Sequence, residues 1–319
     1  MADERLAVGV DIGGTLIKLG IVHASGALRV LTETSTSIDR PQEAAVAEIA
    51  RAVARLAQGH DVQAVGIGCA GLVDAVHGIV HLSPNLPRWH DARLAEWAAR
   101  ELALPVAVLN DANAFTLAEA HAGAGRGCSP VVGITLGTGV GGAIVEAGRL
   151  RGGRHGFGGE IGHVSIEMDG PPCPCGNRGC LELYVGRRAL VAAYLAHAGW
   201  SPGGSAYDLA RGDRAALDPR LLYEAANRGD PAAREVFTRA GIVLGVALAN
   251  VTNLIDPEVI VIGGGVALAG DMLLEPARRT LAERAMLGAS RVPAVLPAAL
   301  GVGAGVIGAA LYALRGPDG

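Results

Sequence analysis

Between Gly159 and Glu182 the sequence reads GEIGHVSIEMDGPPCPCGNRGCLE, gathering His163, Cys173, Cys175 and Cys180 into a span rich in proline and glycine. Three thiolates and one imidazole fill the tetrahedral shell that zinc prefers and leave no position for water, so a metal held there is structural. Ordinary buried thiols are the plainer reading of clustered cysteines, and a disulfide between Cys173 and Cys175 is sterically poor at that separation. No apolar periodicity runs through the loop, which favours the metal. Glu160 lies three residues before His163 and Glu182 two after Cys180. Neither carboxylate is needed by the metal, and both are candidates for holding a ligand.

Two further groups carry candidate chemistry. Asn110-Asp111-Ala112-Asn113 follows the apolar run Val106 to Leu109 and opens a helix through Ala120. Polar side chains at the carboxyl end of a strand are where open α/β sheets place ligands. A helix N-cap also explains an aspartate there, and Asn113 could serve as that cap equally well. Near the start, a strand from Leu6 to Val10 ends in Asp11-Ile12-Gly13-Gly14-Thr15 before a second strand from Leu16 to Val22. Successive glycines let backbone approach an anion, with Asp11 adding a carboxylate that can face a metal and Thr15 a hydroxyl. An ordinary glycine turn is the alternative.

The elements that position these residues repeat. Val132 to Gly139 can be laid over Val8 to Thr15, and each stretch runs into another apolar strand, ending near Val145 or Val22. A repeated strand, glycine turn and strand predicts an internal duplication, with two α/β domains facing each other across a cleft. The expected division is 1–112 and 113–300, with the metal loop at 163–180 and an Ala- and Gly-rich helix at about 301–319 packing back on the first domain. Between the two tips come a helix from Pro41 to Gln58, a strand from Val62 running into Cys69-Ala70-Gly71, a loop from His81 to Pro87 bearing Asn85, and a helix from Ala92 to Leu102. Helices at Leu183 to Ala198 and within Arg220 to Asn253 precede a strand that enters Gly263-Gly264-Gly265. Glycines between a strand and a helix favour the approach of a nucleotide. Gly137, Gly139 and Gly142, like Gly303, Gly305 and Gly308, satisfy G-x-G-x-x-G but lack the strand-turn-helix context of a dinucleotide fingerprint.

With 319 residues, half of them hydrophobic, the chain can bury a substantial core. A net charge of -4 supplies no basic field for nucleic acid. Three of the five cysteines lie in the loop, a usage that fits a reducing compartment. No apolar run reaches the roughly 20 residues of a membrane span without a glycine or charge, so a cytoplasmic protein with no membrane partner is expected.

Taken in order, DIGGT, NDAN, LGTGVGG, GEIGH, CPCGNRGCLE and IGGG resemble the ROK family of sugar kinases, whose members share the actin-like, hexokinase-type fold. The resemblance covers nearly the whole chain. It implies that Asp111 is the catalytic base and that Asn110, Glu160, His163 and Glu182 bind the sugar's hydroxyls, with Gly71 and Asn85 also lining the pocket. It implies phosphate contacts from Gly13, Gly14, Thr15, Gly137 and Thr138, a nucleotide wall from Gly263 and Gly264, and a carboxylate, Asp11, that positions magnesium through water. One nitrogen of His163 would bind the structural zinc and the other a sugar hydroxyl. Many family members carry an N-terminal helix-turn-helix domain. Here the first strand starts at about Leu6 and that domain is not expected.

The activity so implied is ATP-dependent phosphorylation of a hexose, foremost glucose at its 6-hydroxyl, by a homodimer or homotetramer. Kinases for N-acetylglucosamine, N-acetylmannosamine or fructose are the alternatives within the class. A non-catalytic sugar sensor is the alternative outside it. A metal-dependent hydrolase is disfavoured because catalytic zinc needs an open coordination position.

Overall fold

The computed structural model describes residues 3–14, 16–36 and 40–316; Thr15 lies outside the described residues. Near-continuous runs of buried residues make the central strands β1 (Leu6–Ile12) and β2 (Leu16–His23), followed by an edge strand, β3 (Leu28–Ser35), whose side chains are mostly exposed. Then come α1 (Gln42–Ala57), β4 (Val62–Cys69), three short strands β5 (Leu72–Asp74), β6 (Ile79–Leu82) and β7 (His90–Ala92), α2 (Leu94–Leu102), β8 (Val106–Asn110) and α3 (Asp111–Ala122). The second set begins with β9 (Val131–Leu136), β10 (Val140–Glu146) and β11 (Arg149–Leu150). It continues through α4 (Glu182–Val185), α5 (Arg187–Ala198), α6 (Ser205–Leu209), α7 (Pro219–Asn227) and α8 (Pro231–Ile255). β12 (Val259–Gly263), α9 (Asp271–Arg284), β13 (Ala294–Pro297) and α10 (Ala304–Arg315) complete it.

The duplication is visible in strand order. One sheet runs β3-β2-β1-β4-β8 and the other β11-β10-β9-β12-β13, so each places its first strand centrally, with its second and third on one side and its fourth and fifth on the other. In the first sheet β1 pairs antiparallel with β2 and parallel with β4, and β4 pairs parallel with β8. This arrangement is the actin-like, hexokinase-type α/β fold. Contacts divide the chain into two compact units, one comprising the chain up to Gly133, Ala143–Gly159 and the segment from Ala298, the other Ile134–Gly142 and Glu160–Pro297.

In the first unit α10 packs on β1, β4 and α3. Glycines permit it: a Cβ on Gly9 would collide with the Val306 carbonyl, one on Gly66 with the Ala309 carbonyl, and one on Gly308 with the Ala114 carbonyl. Glu119 on α3, fully buried, accepts hydrogen bonds from the backbone N–H groups of Ala124, Ala299 and Leu300 at 2.8 to 3.1 Å. It thereby ties α3 to the turn that leads into α10. Glu119→Gln replaces one accepting oxygen by a donor that faces an N–H. It should destabilise the protein by about 1 to 3 kcal/mol, read as a lower urea midpoint; an unchanged midpoint would remove Glu119 as a fastener.

In the second unit α8 is long and apolar enough to cross a membrane by length and composition, but half of its apolar window is buried inside the protein, as in a core helix. Three local expectations shift. His81 and Leu82 belong to β6 and Ala92 to β7, because strands of three or four residues are too short to show a period. The helix expected from Leu183 is broken at Gly186, whose extended backbone separates α4 from α5.

Candidate active site and metal centre

In the first unit, three parallel strands end level with one another. Ile12 pairs with Cys69, and Cys69 with Asn110, so Asp11, Cys69 and Asn110-Asp111 gather at the carboxyl edge of β1, β4 and β8. Burial raises the Asp11 carboxyl above its usual range, opposed by the charge of Lys18; a cation near Asp11 would relieve that cost. Cys69 is pushed up to about 12, first by burial and then by the nearby Asp111 charge, with Asp11 adding. Its thiol therefore stays neutral and serves as packing beneath the carboxylates.

Asn110, not Asp111 or Asn113, caps α3: its side-chain oxygen accepts from the N–H groups of Ala112 and Asn113 at 2.8 and 3.2 Å. Its amide donates to the Gly71 carbonyl at 3.0 Å, joining two of the expected sugar residues. Gly71 has a φ of +114°, and a Cβ there would collide with the Leu82 carbonyl, so this approach requires glycine. Asn85 sits on a loop whose flanks, Leu86 and Trp89, are sunk into the core at 1% and 2% exposure. The same loop meets the Gly13-Gly14 turn: a Cβ on Gly14 would lie 3.4 Å from that of Asn85.

In the second unit the loop expected to hold a metal does bring its ligands together. The ligand atoms of His163, Cys173, Cys175 and Cys180 all lie within 4.8 Å of one another. Cys175 Sγ and Cys180 Sγ are 3.8 Å apart, and Cys173 Sγ lies 3.7 Å from His163 Nδ1. Zinc bonds of about 2.3 Å to sulfur give a tetrahedral edge of about 3.8 Å, so the set fits that ion and is too open for a disulfide. Burial and the neighbouring thiols push Cys180 up to about 12, and burial also raises Cys173, whereas the Asn177 N–H lowers Cys175. Three thiolates this close need a cation between them.

Glu160, His163 and Glu182 are neighbours in this unit. Partial burial raises the Glu160 carboxyl above its usual range; His163 opposes the rise and the Glu182 charge adds to it. Glu182 reaches the second glycine turn, where its carboxylate accepts from the Val140 N–H at 3.1 Å. It packs on Gly139, leaving no space for a Cβ there. Gly137 is held in that turn by its N–H to the Gly139 carbonyl and by its carbonyl to the Arg187 N–H, both 2.9 Å, and Thr138 is exposed beside it. Gly263 ends β12, and Gly264, with a φ of +90°, lies against the backbone of Leu136, one residue before Gly137. The two expected nucleotide glycines thus adjoin the expected phosphate turn.

One participant escaped the sequence reading. A Cβ on Gly305 would sit 2.8 Å from the Asp11 carboxyl carbon, so the first turn of α10 lies against Asp11. The glycine spacing 303-305-308 was the available signal, and it reports packing rather than a dinucleotide.

A family model described as the ROK family matches residues 7–315. The glucokinase of Thermotoga maritima is 37% identical over 307 residues, 95% of each chain, and that of Streptomyces coelicolor 38% over 317 residues, 98% of each. The crystal structure of a ROK family glucokinase from Streptomyces griseus in complex with glucose and AMPPNP superposes with a TM-score of 0.85 at 39% identity. It covers 98% of this chain and all of that one. With its duplicated sheets, its two glycine turns and its one-histidine, three-cysteine loop, this chain belongs to the ROK family.

Proposed function

We propose that this chain is an ATP-dependent glucokinase that transfers the γ-phosphoryl group of ATP to the 6-hydroxyl of glucose. The observation that carries the reading is the division of labour at the head of α3. Asn110 supplies the cap, so capping does not account for the carboxylate of Asp111 at the same strand end.

The chemistry follows from a loose transition state, in which the protein mainly aligns acceptor, phosphoryl group and magnesium. The bond from the γ-phosphorus to the β–γ bridging oxygen breaks, and that oxygen leaves with ADP, taking the electron pair. A new bond forms to the sugar's 6-oxygen, whose proton passes to Asp111. Asn110, Glu160, His163 and Glu182, with Asn85 and Gly71, are assigned to the hydroxyls of glucose. Gly13, Gly14, Thr15, Gly137 and Thr138 are assigned to the phosphates, Gly263 and Gly264 to the nucleoside, and Asp11 to water on the magnesium that accompanies ATP. Zinc, when bound by His163, Cys173, Cys175 and Cys180, supplies order alone, since the protein fills every coordination position. His163 Nδ1 faces the thiols, which leaves Nε2 to donate to a hydroxyl. A homodimer or homotetramer in the cytoplasm completes the reading, on the family resemblance.

Turnover across glucose, fructose, N-acetylglucosamine and N-acetylmannosamine tests the substrate. Glucose should give the highest kcat/KM. An acetamido sugar used equally well or better would overturn the choice of glucose while keeping the kinase.

A further inference from the structure

The cysteines differ in how far a reagent can reach them. Cys69, Cys173 and Cys180 are buried, Cys128 is half-buried and Cys175 is exposed. Of the four residues whose ligand atoms lie within 4.8 Å of one another, Cys175 is thus the exposed one. The backbone around it divides into a fixed part and a free part. Ser165 forms a β-bridge with Cys180 and Pro172 with Arg178, and the Cys173 N–H donates to the Asn177 carbonyl at 2.8 Å. Cys175 rides on the turn that these ties enclose, which is closed by the Gly176 N–H on the Cys173 carbonyl at 3.0 Å. Pro174 and Gly176 on either side of it are exposed. Gly176 has a φ of +96° and open space where a Cβ would stand.

Cys175 Sγ lies 3.8 Å from Cys180 Sγ, and a disulfide needs about 2.05 Å. One sulfur must move to close that gap, and Cys175, on the exposed turn, has the room. Resting on the zinc reading, we propose that Cys175 is an oxidation site at which hydrogen peroxide opens the metal set and turns off sugar binding. The Cys175 thiolate attacks one peroxide oxygen: an S–O bond forms, the O–O bond breaks, and hydroxide leaves with the electron pair. The sulfur is oxidised by two electrons and the peroxide is reduced. The Cys180 thiolate then attacks the sulfenic sulfur, forming the S–S bond as the S–O bond breaks and a second hydroxide leaves. Two of the four ligands are consumed, and His163 with Cys173 are too few to hold the ion. His163 and Glu182, which lies two residues beyond Cys180, lose their common anchor. A dithiol reverses the bridge by exchange.

The test treats the purified, reduced, zinc-loaded chain with graded hydrogen peroxide. It follows zinc release with a chromogenic chelator, the state of each cysteine by peptide mass mapping with a sulfenic-acid trap, and glucose affinity by calorimetry. Cys175 should be trapped first, and a Cys175–Cys180 bridge should follow. About one zinc per chain should be released in step with the bridge, and the Kd for glucose should rise about tenfold or more. Dithiothreitol with added zinc should restore both, and Cys128→Ser should respond as the parent chain does. Earlier oxidation of Cys128, a bridge that omits Cys175, or zinc retained after the bridge forms would overturn the inference. So would unchanged glucose affinity after zinc release, or loss of the response in Cys128→Ser. If the reduced chain takes up no zinc, the zinc reading fails and the mass map decides alone. Cys175 modified ahead of Cys128 then keeps the oxidation site, and Cys128 modified first removes it.

Discussion

Asp111→Ala should lower kcat for glucose phosphorylation by about 10² to 10⁴ while glucose affinity stays near that of the parent chain. Removing a base that acts only as the proton leaves costs transition-state stabilisation and little binding. The local fold supports a clean experiment, because the cap of α3 comes from Asn110, whose oxygen holds the N–H groups of Ala112 and Asn113. Asp111 itself accepts from the adjacent Ala112 N–H at 3.0 Å. A truncated side chain should therefore leave the helix in place. Matched losses of affinity and turnover, or a lowered melting temperature accounting for both, would make Asp111 a binding or structural residue instead.

Cys180→Ala should lose the metal and weaken glucose binding together, by about tenfold or more, which corresponds to ~1.4 kcal/mol per factor of ten. Cys180 is fully buried, its thiol lies 3.4 Å from the His163 carbonyl, and it forms a β-bridge with Ser165. The residue after next is Glu182, which continues to the Val140 N–H of the glycine turn. A metal at this knot fixes His163 and Glu182 relative to each other, and a structural zinc site contributes folding free energy directly. Elemental analysis of the purified variant beside calorimetric glucose titration checks both halves. Retained zinc, or full glucose affinity without it, would separate the metal from the sugar.

The fold was legible where periodicity and repetition were long. The overlay of Val132–Gly139 on Val8–Thr15 anticipated two sheets of one strand order, because a duplicated hairpin leaves its turn chemistry in both copies. The gathering of His163, Cys173, Cys175 and Cys180 was legible because cysteines in a Pro- and Gly-rich loop have few other uses. Asn110's cap was not, since Asn110, Asp111 and Asn113 are all competent caps and only the φ and ψ of the strand end select one. Gly305 against Asp11, and the Ala299 and Leu300 N–H groups on Glu119, were beyond reach for another reason. Both join α10 or the turn before it to residues far earlier in sequence, and no local pattern records such a contact.

The most direct test of the central claim is a coupled ADP-release assay with ATP and magnesium, run with and without glucose on the parent chain and on Asp111→Ala. The account predicts glucose-dependent ADP release by the parent chain that collapses in the variant. Glucose binding without ADP release by the parent chain would contradict it and leave a sugar-binding protein that does not catalyse.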